Sequence, residues 1–195
     1  VGEYLVRHPH VDKVTFTGST AAGKKIGAVC GELLRPVTLE LGGKSANIVL
    51  DDADLATVVP SLLDAGLMNN GQACVAKTRI LASRANYENV VDAVTEAVAA
   101  LVVGDPLDMT TQIGPVVAER QRDRILGLIE TGRSEGARIT TGGGRTGHDR
   151  GWFVEPTVFA DVDNKMTIAQ EEIFGPVLSV IPFEDTADAV RIAND

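Results

Sequence analysis

The segment "VDKVTFTGSTAAGKKIGAVCGELLRPVTLELGG" (Val11–Gly43) decides the fold. Val11 to Phe16 is β-branched and alternating, which reads as a strand. "GSTAAGKKIGAVCGELL" then reads as a helix, with Gly18 and Ser19 at its start. Ile26, Val29, Cys30 and Leu33 recur at helical spacing along it. Val37 to Leu41 is a second strand, stopped by Gly42–Gly43.

The alternation continues downstream. "SANIVL" is a third strand. The next helix carries Leu55, Val58, Val59, Leu62 and Leu63 at helical spacing, and Pro60 predicts that it is kinked or starts late. "TRILAS" is a strand, and "NYENVVDAVTEAVAALVVG" a long amphipathic helix ending at Gly104. A loop leads to "VAERQRDRILGLIETGRSEGA", a helix with Ile125, Leu128 and Ile129 on one face. "RITTGGG" is a strand running into a glycine-rich loop, "WFVEPTVFADV" is extended, and "IAQEEIFGP" is a turn-bearing connection. "VLSVIPF" is a strand, and "TADAVRIAND" begins a helix. Strands alternating with helices predict an α/β fold with parallel strands.

Composition narrows the function. An apolar share of 44% suits an ordinary globular protein with a sizeable core. A net charge of -9 argues against nucleic acid, which needs a basic face. No apolar run reaches the ~20 residues of a membrane span, and no secretory leader opens the chain. The chain starts at Val1 in what reads as mid-element, so it is expected to be an internal piece of a longer protein. Two cysteines, Cys30 and Cys74, make no disulfide framework and fit a reducing compartment, the cytoplasm. Three scattered histidines and no CxxC give no metal site.

Two glycine motifs fail on context. "GSTAAGKK" (Gly18–Lys25) nearly matches a phosphate loop, but Lys25 stands where the magnesium-binding hydroxyl belongs. "GGGRTG" (Gly142–Gly147) fits the dinucleotide spacing, yet no helix follows it, so a hairpin or loop is the better reading.

A free cysteine is most often a small buried hydrophobe, and Cys30 keeps that reading. Cys74 differs. It lies in "NNGQACVAKTR" (Asn69–Arg79), among small and polar residues between a helix and a strand. Lys77 and Arg79 follow it, and positive charge favours a thiolate. No histidine is placed to serve as its base, which disfavours a papain-like hydrolase. Glu40 is the other candidate base. On pattern alone it is a solvated strand-edge charge, but a carboxylate between Leu39 and Leu41 also suits a general base.

With these residues in view, the chain resembles the aldehyde dehydrogenases. "FTGST", "LELGGKSANIVLDDADL", "NNGQAC" and "EEIFGPV" occur in that family's order, and Glu40 precedes Cys74 by 34 positions, a separation that fits it. The stretches "GDPLDMTTQIGPVV" and "GWFVEPTVF" extend the likeness over essentially the whole chain. The resemblance implies an aldehyde dehydrogenase-like fold. It would comprise a parallel-sheet catalytic domain with helices on both faces, over residues 42–195 and incomplete at its C-terminus. Residues 1–41 would be the last strand–helix–strand of a Rossmann-like cofactor domain.

It further implies oxidation of an aldehyde to a carboxylic acid through a cysteine thiohemiacetal and thioester. Cys74 would be the nucleophile and Glu40 the general base. Gly18 and Ser19 would face the cofactor pyrophosphate, Leu41 the nicotinamide, and Glu172 and Phe174 the nicotinamide ribose and ring. Gln121 and Arg124 would reach the ribose, and Met68, Asn69, Ala73 and Val75 would line the inner end of the substrate tunnel. The implied cofactor is NAD, with NADP the alternative, and the implied assembly is a homodimer or homotetramer. The family's oxyanion-hole asparagine falls upstream of Val1, so the 195 residues alone are expected to be inactive. Two rival readings stand beside this one. A CoA-acylating relative would commonly lack Glu40, and a non-catalytic structural or binding relative would have no use for Cys74.

Overall fold

A computed structural model describes all 195 residues, which divide into two compact units, Val1–Gly43 and Lys44–Asp195.

The first unit opens with a short helix, α1 (Gly2–Arg7), where the sequence suggested no distinct element. Strand β1 (Val14–Gly18), helix α2 (Thr20–Glu32) and strand β2 (Val37–Leu41) follow. β1 and β2 pair in parallel, with Thr17 opposite Glu40 and Gly18 opposite Leu41. The strand thus starts later than the sequence pattern implied, at Val14, and Gly18 closes it instead of opening the helix. Ser19 is the N-cap of α2, its Oγ accepting the Ala22 N–H at 3.3 Å. Leu39 and Leu41 turn toward α2, where Gly23 and Gly27 make room for them. The two-residue period of the strand therefore puts Glu40 on the opposite, exposed face. Arg35 ties α1 to the β2 approach by donating to the Val6 and His8 carbonyls.

The second unit is a five-stranded sheet in the order β3-β4-β7-β6-β5. Its strands are β3 (Ala46–Val49), β4 (Arg79–Ser83), β5 (Arg138–Thr141), β6 (Thr157–Ala160) and β7 (Val177–Phe183). All neighbours are parallel except β5 and β6, so the sheet is mixed where strand–helix alternation predicted a parallel one. Residues 142–156 join the antiparallel pair and contain "GGGRTG", as the loop reading requires.

Helices α3 (Leu55–Leu67) and α4 (Tyr87–Ala99) cover one face. Helices α5 (Glu119–Ser134), α6 (Thr167–Gln170) and α7 (Thr186–Asn194) cover the other. Side-chain alternation along each strand feeds both layers. Ile80, Ala82, Leu178 and Val180 pack under α3 and α4, while Leu81, Phe159, Val177 and Ile181 pack under α5 to α7. No helix is long and apolar enough to cross a membrane.

Two helix boundaries moved for identifiable reasons. α3 starts at Leu55 because the Asp54 carboxylate caps it, accepting from Ala56 N, and it runs on through Pro60. α4 ends at Ala99, well before Gly104. The residues after it pair with a neighbouring loop instead. Gln112 and Ile113 both donate to the Val102 carbonyl, and Gln112 Oε1 accepts the Val102 N–H.

Candidate active site

In the second unit, α3 ends in a tight turn, Met68–Gly71, through which the chain takes an unusual path. Asn69, Asn70 and Gly71 have φ of 50°, 58° and 72°, three left-handed residues in succession. Such backbone costs about 1–2 kcal/mol for each residue carrying a Cβ, and asparagine tolerates it better than most. The path brings Gly71 against the chain at Gly175, where a Cβ on Gly71 would lie 2.0 Å from the Gly175 carbonyl oxygen. A reverse turn follows, closed by Ala76 N donating to Ala73 O, and Cys74 stands at its corner with an exposed side chain. Cys30, by contrast, is fully buried in the first unit.

Amide side chains fasten this loop. Asn70 Oδ1 accepts the Gly114 N–H at 2.8 Å while its Nδ2 donates to the Pro115 carbonyl at 3.2 Å. Gln72 Oε1 accepts the Val117 N–H at 2.9 Å and its Nε2 donates to the Asn69 carbonyl at 3.2 Å. Asn69 Nδ2 returns a bond to the Gln72 carbonyl at 3.1 Å. Sequence reading quoted Asn70 and Gln72 within a motif but assigned them no task. Their polarity beside a cysteine was the available signal.

The segment touching Gly71 holds Glu172 and Phe174, both half-buried. Phe174 also has a left-handed φ of 58°. Helix α5 holds it there: Gln121 Nε2 donates to the Ile173 and Phe174 carbonyls at 3.1 and 2.8 Å, and Arg124 Nη1 donates to Ile173 at 2.8 Å. Cys74, Glu172, Phe174, Gln121 and Arg124 thus belong to one neighbourhood of the second unit. Gly18, Ser19, Glu40 and Leu41 belong to the first unit, on or beside its paired strands.

Arg79 does not serve the thiol as its place in the sequence suggested. It is buried, and its guanidinium donates to Lys44 O, Asn164 Oδ1, Ile192 O and Ala193 O, locking β4 to the end of α7. Lys77 remains exposed beside the loop, its backbone N–H donating to Ala65 O.

Lys44 escaped notice in the sequence. Its stem is half-buried, but Nζ is shielded from solvent and has no hydrogen-bond partner. Its pKa falls to about 7, chiefly through burial and next through repulsion by Arg79. Glu172 opposes that fall, Arg124 adds to it, and Glu171 opposes it. No cluster of His, Cys, Asp and Glu capable of holding a metal ion is present.

The first unit offers an anion site in outline. With Ser19 Oγ on Ala22 N and Gly23 N bonded to Ser19 O, the Thr20 and Ala21 N–H groups are left over at the positive end of α2. A phosphate group suits such donors.

Comparison with known proteins adds to this geometry. The profile described as "Aldehyde dehydrogenase family" matches residues 1–195. Geranial dehydrogenase of Castellaniella defragrans is 59% identical over 195 residues, covering 100% of this chain and 41% of the relative. A betaine aldehyde dehydrogenase of Sinorhizobium fredii is 46% identical, covering 99% of this chain and 40% of the relative. The crystal structure of a Mycobacterium tuberculosis aldehyde dehydrogenase complexed with NAD+ superimposes with a TM-score of 0.98 at 56% identity, covering 100% of this chain and 40% of that one. The chain therefore spans about two fifths of the length of the relatives it matches.

Proposed function

Since the chain belongs to the aldehyde dehydrogenase family, we propose that the complete protein oxidises an aldehyde to a carboxylic acid with NAD, and that Cys74 is its nucleophile. Residues 1–41 form the end of the dinucleotide-binding domain in this reading, and residues 42–195 belong to the catalytic domain. The observation that carries the proposal is the exposed thiol of Cys74 at the corner of a braced turn, on a loop packed against Gly175, the residue after Phe174.

The residues fit the cofactor. The free N–H groups at the start of α2, beside Gly18 and Ser19, suit its pyrophosphate, and the half-buried Glu172 and Phe174 suit its ribose and ring. Leu41 would meet the nicotinamide. Gln121 and Arg124 support the Phe174 backbone, and any contact they make with the ribose is additional to that.

Chemistry begins when the Cys74 thiolate attacks the aldehyde carbon and forms a C–S bond. The resulting oxyanion needs a fixed donor, and the Cys74 backbone N–H is the one this chain offers. Bound NAD, its ribose and ring held by Glu172 and Phe174, would supply the acceptor for the substrate's hydride. Cys74 then carries the acyl group as a thioester. Glu40 removes a proton from water, the water oxygen attacks the thioester carbon, and the C–S bond breaks to release the acid and restore the thiolate.

The test is aldehyde-dependent reduction of NAD by the complete protein, with Cys74→Ser and Glu40→Gln beside it. Cys74→Ser should abolish turnover. Glu40→Gln should slow acid release by on the order of 10²-fold or more, the usual weight of a general base. Alkylation of Cys74 by iodoacetamide should be slowed by aldehyde in a saturable way. Full activity in Cys74→Ser would refute the proposal. Release of the acyl group to CoA in preference to water would move the protein to the acylating branch.

A further inference from the structure

The loop bearing Cys74 contains more constraint than a surface loop needs. Two non-glycine residues in a row, Asn69 and Asn70, are left-handed, and the strain persists only because the surroundings enforce it. The enforcing groups are amides used at both ends. Asn70 grips Gly114 N–H and Pro115 C=O, and Gln72 grips Val117 N–H and Asn69 C=O. The partner backbone is itself fixed, since Val103 and Ile113 form a bridge at the end of α4. The loop is therefore attached on one side by three side-chain hydrogen bonds, closed on itself by the Gln72–Asn69 bond, and pressed on the other side by the contact of Gly71 with Gly175. Cys74 lies two residues beyond Gln72, so any slack at Gln72 reaches the sulfur almost undiminished.

We propose that Asn70 and Gln72 are positioning residues that aim the Cys74 thiol, by fastening its loop to the Gly114–Val117 backbone. This rests on the reading of Cys74 as the nucleophile. The role concerns direction and not reactivity: the amides touch backbone groups, and neither bonds to the sulfur. A thiol displaced by about 1 Å still alkylates but attacks a bound carbonyl poorly, because reaction demands a near-attack geometry.

Gln72 is the better residue to test, since its φ of -96° is ordinary and a substitution there adds no backbone strain. Gln72→Met keeps the length of the side chain and removes both amide bonds. Gln72→Glu keeps an acceptor for Val117 N–H. The measurements, on the complete enzyme, are kcat per alkylatable Cys74, KM for the aldehyde, and the rate of iodoacetamide alkylation of Cys74. In Gln72→Met, kcat per site should fall on the order of 10- to 100-fold, with KM and alkylation rate within about twofold of the unsubstituted protein. Gln72→Glu should recover most of the loss. Asn70→Asp, which tolerates the left-handed backbone and keeps the Gly114 bond, should fall between. An unchanged kcat per site in Gln72→Met would overturn the proposal. So would a loss that merely follows the fraction of unfolded chains, read as alkylation of Cys30, which is fully buried in the folded protein. If Cys74→Ser retains full activity, the catalytic reading fails and takes this proposal with it.

Discussion

Replacing Lys44 by Met tests the electrostatic description of the second unit. In the folded chain Lys44 gives up its proton near pH 7, while the unfolded chain keeps one until about 10.5. Between those values the unfolded state binds more protons, so stability must rise with pH. Below pH 7 both states are charged, and the penalty for shielding an unpartnered ammonium is fully present. Above about 10.5 both are neutral and the penalty is gone. The slope in the window is about 1.4 kcal/mol per pH unit, so the two units from pH 7 to pH 9 are worth roughly 2–3 kcal/mol. Lys44→Met has no such proton. The assay is urea unfolding at pH 7, 8 and 9, followed through Trp152, the one tryptophan of the chain. Groups common to both proteins largely cancel in the comparison. The stability advantage of Lys44→Met over the unsubstituted chain should therefore shrink by roughly 2–3 kcal/mol across that range. Parallel pH profiles for the two proteins would refute the argument. They would mean that the ammonium is solvated or paired in the folded chain.

Other substitutions probe separate parts of the structure. Gly71→Ala places a methyl 2.0 Å from the Gly175 oxygen at a left-handed φ, and should cost about 2–4 kcal/mol in urea unfolding. Gly136→Ala is its control: φ is +98° but nothing lies within 4 Å, so the cost should stay near ~1 kcal/mol. Tyr87→Phe removes a hydroxyl that donates to the Val180 carbonyl and accepts the Asp161 N–H. The phenol is pushed up to about 12, mainly by burial, so it stays protonated and able to donate at neutral pH. Its loss should lower stability by about 1–3 kcal/mol, the cost of leaving shielded backbone groups unpaired, and thermal unfolding would show it.

Much of this architecture was legible because local signals agreed. Val37 to Leu41 forms the strand its β-branched and leucine alternation predicts, and Gly42–Gly43 follows its end. Arg79 to Ser83 and Val177 to Phe183 are buried almost throughout because helices cover both faces of their sheet, and most of their residues are accordingly apolar. The antiparallel β5–β6 pair was hidden, since strand direction depends on how residues 142–156 return and composition does not encode that. The end of α4 was misread because Val102 and Val103 continue an apolar pattern, while their hydrogen bonds go to a loop distant in sequence. Cys74 and Glu40 became candidates through motif and spacing. The engagement of Arg79 with α7 was not legible, because its partners lie up to 114 residues away. Lys44 was passed over for a similar reason, since its unusual state arises chiefly from burial and next from Arg79, which is distant from it in the chain.

The abutment of Gly71 on Gly175 has a mechanical consequence. Two backbones that meet with no side chain between them leave no compressible layer, so neither can advance toward the other. Phe174 precedes Gly175 directly, and Cys74 follows Gly71 by three residues. The Phe174 segment and the turn bearing the thiol are therefore joined through one backbone contact, and neither can shift toward the other without disturbing it.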